Sequence, residues 1–329
     1  GRRQSVMIQG FLRRFFPRLK EDKNKNFQSG DLLLEKGQDK LQVTDSDAIH
    51  TLEDLKSFIE HQRAVNSIPF PVPQALDQWQ VKIIDDGPMR TFVWNDRQDP
   101  KQKLIFYLHG GSYFKQPKDR YFNGLNEWAR ELGAKIVMPL YPKGPQYSYR
   151  ASQDRLVKLY LKLLESLEDA KQVSLIGDSS GGGLSMGLAD CLAQKGIDQP
   201  KDIILISPWL DIATDNPDIA DYQGLDPDLR QWVLQEYGKI WAEGPDNRTN
   251  PMVSPLYSQK LHQMGKLTII VGDQEIFYPD NLLLHDKLSQ LGIDHNFIVG
   301  LGLHHIFAMK ETDQGFAMRR QIAGIIEED

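Results

Sequence analysis

The stretch Val173-Ser174-Leu175-Ile176-Gly177-Asp178-Ser179-Ser180-Gly181-Gly182-Gly183 decides the reading of the whole chain. Residues 173–176 are a short apolar run of the kind that forms a buried strand. From Ser180 onward, small and apolar residues (Leu184, Met186, Leu188, Ala189, Leu192) continue as a helix. Between the two lies Gly-x-Ser-x-Gly, centred on Ser179. A sharp strand-to-helix turn needs residues without bulk on both sides of its central serine, because neighbouring backbone crowds them. Such a turn lifts the hydroxyl above the sheet and sets the free N–H groups of a helix start beneath it. A plain glycine-rich turn is the competing interpretation. The placement directly between a strand and a helix favours a nucleophile.

Composition bounds the function classes. At 329 residues the chain has room for one large α/β domain and a smaller accessory part. A hydrophobic fraction of 40% and a charged fraction of 26% are ordinary for a globular enzyme, and no apolar run reaches the length of a membrane span. The net charge of −6 argues against nucleic acid as a partner. The single cysteine, Cys191, falls on the predicted helix and is expected to be a packed thiol; it fits a reducing, cytoplasmic setting. There is no Cys/His cluster with metal spacing, no P-loop and no dinucleotide fingerprint. No cofactor or metal is expected.

Along the chain, residues 1–20 carry six basic and no acidic side chains, with apolar positions at helical spacing up to Pro17. A helix packed over the active site is the favoured expectation. A membrane-surface helix and a disordered or oligomer-contacting arm are the alternatives. Residues 21–47 are polar and expected to be loose, a helix is expected near 48–66, and Pro69-Phe-Pro-Val-Pro73 marks a boundary. Strand candidates then lie near 80–84, 91–94, 103–108, 135–138, 173–177, 203–207, 267–272 and 295–299, the first two forming a hairpin through Asp85-Asp86-Gly87-Pro88. Helix patterns near 119–132, 151–169, 180–195, 279–291 and 314–327 alternate with the later strands. This alternation predicts an α/β architecture: a mostly parallel eight-stranded sheet with helices on both faces. The stretch from about 211 to 255 is too long for a simple crossover and carries Tyr222, Trp232, Tyr237 and Trp241, as a lid over a pocket would. The expected division is residues 1–75 and 211–255 as cap segments, with 76–210 and 256–329 as the catalytic domain.

Two further stretches complete a chemical constellation. Leu104-Ile105-Phe106-Tyr107-Leu108-His109-Gly110-Gly111-Ser112 is a strand entering a glycine turn, where backbone N–H groups can converge on a developing oxyanion. Ser180, following the nucleophile, would add a donor from the helix side. His109 is expected to brace this loop. Serine needs a base, and His304 and His305 follow the last strand candidate. The orienting carboxylate should close another strand, where Asp273 and Glu275 both stand. The order serine, acid, histidine is that of α/β-hydrolases.

With its His-Gly-Gly turn, Gly-Asp-Ser-Ser-Gly-Gly elbow and C-terminal His-x-Phe, the chain resembles the hormone-sensitive-lipase-like branch of the α/β-hydrolases, a group of bacterial carboxylesterases and lipases. Ile206-Ser-Pro-Trp-Leu-Asp211, Val253-Ser-Pro-Leu256 and Tyr141-Pro-Lys-Gly-Pro-Gln-Tyr147 resemble further segments of that branch, so the likeness covers roughly residues 75–329. The resemblance implies an α/β-hydrolase fold with a helical cap, and hydrolysis of small esters with short acyl chains. It implies Ser179 as nucleophile, His305 as base because Ile306-Phe307 follows it, and Glu275 as acid, three residues past Gly272. The oxyanion donors it implies are the N–H groups of Gly111, Ser112 and Ser180, with Gly110 as a further candidate. Three departures stand out. Ser112 replaces a glycine, Gln146 a glutamate and Pro279 an aspartate of the family pattern.

Overall fold

The computed structural model describes residues 49–329 and, ahead of them, the short strand β1 (Leu32–Leu34). The amphipathic segment 1–20 lies outside the described residues. After β1 come helix α1 (Leu52–Asn66) and the hairpin β2 (Lys82–Asp86) and β3 (Met89–Trp94). The alternating part then runs β4 (Leu104–Leu108), α2 (Asp119–Leu132), β5 (Lys135–Leu140), α3 (Tyr149–Leu164), β6 (Val173–Asp178), α4 (Ser180–Gln194) and β7 (Asp202–Ile206). Two helices, α5 (Ile219–Gln223) and α6 (Gln231–Trp241), interrupt it before β8 (Lys266–Gly272), α7 (Tyr278–Gln290), β9 (Asn296–Gly300) and α8 (Asp313–Glu327). Each of the eight expected strands is present within a few residues of its predicted bounds.

Among the described residues the strands form one nine-stranded sheet, in the order β1-β9-β8-β7-β6-β4-β5-β3-β2. The ninth strand is β1, from a stretch expected to be loose. Leu32–Leu34 is an apolar triplet inside a polar segment, and it pairs in parallel with Ile298–Gly300 at the edge. The hairpin β2–β3 is antiparallel to its neighbours and every other pair is parallel. Parallel strands must be reconnected by crossovers, and the crossovers here are helices that cover both faces.

The pleat of β4 shows how the core divides. Leu104, Phe106 and Leu108 face one apolar cluster with α3 and α4, whereas Ile105 and Tyr107 face another with α2 and α8. A third cluster joins α4, α7 and the outer strands β7 to β9. Cys191 is buried on α4, as expected, and burial pushes its thiol up to about 11, an unreactive value. Helix α1 starts on a capping box in which Thr51 and Asp54 satisfy each other's backbone N–H groups. No helix among the described residues is long and apolar enough to cross a membrane.

The chain steps from β4 outward to β5 on one side, then returns to β6 and continues to β7 on the other. At such a reversal of strand order the loops leaving adjacent strands diverge and open a crevice at their carboxyl ends. The loops that leave β4 and β6 are the His-Gly-Gly turn and the Gly-Asp-Ser-Ser-Gly elbow.

Candidate active site

Ser179 sits between β6 and α4 at φ 53° and ψ −122°, a conformation that side chains avoid. Its amide donates to Ile206 O and its carbonyl accepts from Gly182, Gly183 and Trp209, so both flanks pin the turn. The glycines beside it are steric necessities. A Cβ at Gly177 would lie 2.2 Å from Gly181 O, and one at Gly181 would lie 2.0 Å from Leu108 O. The spacing seen in the sequence therefore reflects backbone crossing backbone.

The hydroxyl of Ser179 donates to His305 Nε2 at 2.9 Å, and His305 Nδ1–H donates to Glu275 Oε1 at 2.9 Å. All three side chains are buried. Burial alone would push the imidazole toward its neutral form, but the Glu275 charge and hydrogen bond outweigh it and hold the His305 pKa above its ordinary value. Glu275 is fully buried, and its second oxygen accepts from Ser207 Oγ at 2.8 Å and Gly272 N at 3.0 Å. Of the two acid candidates, Asp273 turns away. It caps Gly302 N at 2.7 Å and so braces the loop after β9. His304 is the residue left out of the line, although it precedes His305 directly.

The glycine turn after β4 is fastened from below by Asp178. Its carboxylate accepts from Tyr107 Oη at 2.7 Å, Tyr121 Oη at 2.9 Å and Gly110 N at 3.0 Å. Burial pushes this carboxyl up, and the three donors push it back. Gly110 therefore has to be removed from the oxyanion donors, because its N–H is already spent on Asp178. The amides of Gly111, Ser112 and Ser180 meet no acceptor among the described residues. Ser112 and Tyr113 both adopt positive φ, 55° and 69°, so the serine that replaces a glycine accepts the left-handed conformation the turn requires. Its cost is about 1 kcal/mol.

His109 does brace the loop. It is fully buried, its Nδ1–H donates to Gly110 O at 2.6 Å, and its ring stacks on Tyr141 with centroids 4.7 Å apart. Burial, reinforced by the nearby Lys143, holds its pKa well below the ordinary value, so the ring stays neutral. Gln146, at the family's glutamate position, reaches Arg63 O at 2.6 Å and ties the loop after β5 to α1. Pro279 occupies the first turn of α7, where its missing N–H is harmless.

A wall of aromatic rings leads away from His305. His305 meets Phe277 at 5.4 Å, Phe277 stacks on Trp209 at 6.0 Å, Trp209 on Tyr113 at 5.4 Å, and Tyr113 on Trp241 of α6 at 4.4 Å. Ser207 and Asp226 were not singled out as functional from sequence. Ser207 stands inside the Ile-Ser-Pro-Trp segment, but its positive φ of 46° and its contact with Glu275 leave no local signal. Asp226 comes from the long segment between β7 and β8 and lies buried beside the triad. No group of three or more acidic, His or Cys side chains poised for a metal occurs among the described residues.

A family model described as alpha/beta hydrolase fold matches residues 105–309. An esterase of Acinetobacter venetianus is 27% identical over 264 residues, covering 78% of this chain and 87% of the relative. An ethyl acetate hydrolase of Pseudomonas putida is 25% identical over 227 residues, covering 65% of this chain and 70% of the relative. A solved candidate esterase from Staphylococcus aureus superposes with a TM-score of 0.80 at 25% identity, covering 85% of this chain and 95% of that one. The chain belongs to the α/β-hydrolase fold family, among relatives named esterase and ethyl acetate hydrolase.

Proposed function

We propose that the protein is a serine carboxylesterase acting on small carboxylic esters with short acyl chains. The observation that carries this reading is the unbroken line Ser179 Oγ–His305–Glu275, two hydrogen bonds of 2.9 Å each, beside three amides that meet no acceptor among the described residues.

In the mechanism, Glu275 fixes the His305 tautomer that carries its proton on Nδ1, leaving the Nε2 lone pair toward Ser179. Ser179 Oγ attacks the ester carbonyl carbon and its proton passes to Nε2. The carbonyl oxygen becomes an oxyanion against the N–H groups of Gly111, Ser112 and Ser180, which are held in place before the substrate arrives. His305 then protonates the departing alcohol and an acyl-enzyme remains. Water, activated by the same nitrogen, attacks the acyl carbon and returns Ser179.

Support for a short acyl group comes from the aromatic wall. The stack begins at His305, which meets Phe277 at 5.4 Å, and runs through Trp209 and Tyr113 to Trp241, so bulky rings fill the space on that side of the base. The segment 211–255, which supplies Trp241, acts as a cap over that volume. A relative carries the name ethyl acetate hydrolase, which agrees with a short acyl group.

The test is hydrolysis of p-nitrophenyl acetate, butyrate, octanoate and palmitate by wild type and Ser179→Ala. Turnover that peaks at acetate or butyrate and disappears in Ser179→Ala is the expected outcome. A peak at palmitate would make the protein a lipase. Absence of ester turnover alongside release of amines from small amides would make it an amidase.

A further inference from the structure

Asp226 is only 3% exposed, and its carboxylate binds across fifty residues of chain to the turn that carries the acid. Oδ2 accepts from Ile276 N at 2.8 Å, the amide directly after Glu275. Oδ1 accepts from Asp228 N at 2.8 Å and Leu229 N at 2.9 Å, which closes the turn on its own side. Three backbone donors on one carboxylate fix its position within the hydrogen-bond tolerance of each. The position so fixed is beside the triad: the charge of Asp226 acts on both His305 and Glu275.

We propose that Asp226 is a positioning residue of the active site: it fastens the Glu275 turn to the segment between β7 and β8, and it sets a second carboxylate against the His305 ring. This rests on the hydrolase reading for its consequence in turnover. During acyl transfer His305 becomes an imidazolium, and a negative charge held nearby in a dry site stabilises that state. Glu275 supplies one such charge through a direct hydrogen bond. Asp226 supplies another through space, held by donors that belong to two different segments.

The remaining charges around the ring are consistent with this. Asp228 also acts on His305, more weakly than Asp226, and Lys310 pairs with it at 3.5 Å. Arg230 bonds the carbonyl of Asp226 at 3.1 Å, not its carboxylate. Burial raises the Asp226 carboxyl to about 6, against the opposing pull of His305 and the Ile276 amide, so its charge is present above that pH, where the raised His305 becomes a neutral base. Anchoring through Ile276 also gives the segment between β7 and β8 a direct mechanical link to the triad.

The test follows the His305 ring itself by histidine-selective NMR, titrating wild type, Asp226→Asn and Asp226→Ala. Loss of the charge should lower the His305 pKa by about one pH unit in both variants. The kcat of p-nitrophenyl acetate hydrolysis should fall about tenfold with KM nearly unchanged. A role confined to folding would lower the melting temperature and leave the His305 titration where it was, and that result would overturn the proposal. Should neither variant fold, the Ile276 amide resonance in wild type decides. It must move with a midpoint near that of Asp226 and be accompanied by an inflection at His305; a silent His305 refutes the coupling. Because the titration needs no substrate, it answers for Asp226 even if wild type hydrolyses no ester. That outcome, with no labelling of Ser179 by a fluorophosphonate, would sink the hydrolase reading alone.

Discussion

Ser207 and Glu275 are joined by a hydrogen bond of 2.8 Å between the serine hydroxyl and Oε2, and the same hydroxyl oxygen accepts the Ile306 amide at 2.9 Å. One small side chain at the end of β7 thus ties the loop of the acid to the loop of the base. Removing it leaves Glu275 Oε2 with a single donor, Gly272 N, and leaves a buried Ile306 N–H unpaired. In Ser207→Ala we expect kcat to fall by about one order of magnitude and stability by about 1–3 kcal/mol. Steady-state kinetics and urea unfolding read the two effects separately, and wild-type kcat would show that the tie is dispensable.

The two carboxylates after β8 are expected to behave oppositely. Glu275→Gln leaves the volume but removes the charge and the tautomer control, so kcat should drop by about three to four orders of magnitude, as loss of a triad acid does elsewhere. Asp273→Asn alters the cap on Gly302 N and the bond from Gln274 Nε2, neither of which reaches His305, and should cost less than about tenfold. A reversed order of the two effects would transfer the acid to Asp273.

The pH profile has a fixed sign. The His305 pKa is held above its ordinary 6.5 by Glu275 against the opposing effect of burial. The base must be neutral to accept the Ser179 proton, so kcat/KM should rise with pH through a midpoint above 6.5. In folding terms, the raised value contributes stability that is complete below the unfolded histidine pKa and is lost as pH rises through the folded one. Glu275→Gln should move the midpoint of its residual activity downward. A midpoint that stays put would show that another charge sets it.

Acyl preference should follow the ring stack. Trp241→Leu removes the outermost ring from Tyr113, with which it stacks 4.4 Å apart. Each methylene accommodated in an apolar pocket changes selectivity by about 1–3 kcal/mol. The ratio of butyrate to acetate turnover should therefore rise at least about tenfold, measured as kcat/KM on the p-nitrophenyl esters. An unchanged ratio would place the acyl group away from this wall.

Gly110→Ala tests the tether of the oxyanion turn. The added Cβ would lie 2.4 Å from Asp178 Oδ2, the carboxylate that Tyr107, Tyr121 and Gly110 itself share. The turn must shift, and the donors of Gly111 and Ser112 shift with it. A loss of about 100-fold in kcat with little change in KM is the expected result. Retention of kcat would mean that the donors do not depend on the tether.

What the chain determined by itself was everything expressed in local pattern. Apolar runs placed the eight expected strands and the elbow motif placed Ser179, because such a turn makes the same steric demands wherever it occurs; local pattern left His304 beside His305 and Asp273 beside Glu275, and the family resemblance chose His305 and Glu275. The apolar triplet at Leu32–Leu34 was too short to announce an edge strand within its polar surroundings. Tertiary structure alone decided how the polar groups were shared out. Gly110 reads as an oxyanion donor in the sequence, but the parallel pairing of β4 with β6 brings its N–H onto Asp178, 68 residues away. Ser207 reaches Glu275 across 68 residues and Asp226 reaches Ile276 across 50. Which buried donor meets which acceptor depends on the order of strands and the path of loops between them, and no window of sequence contains both partners.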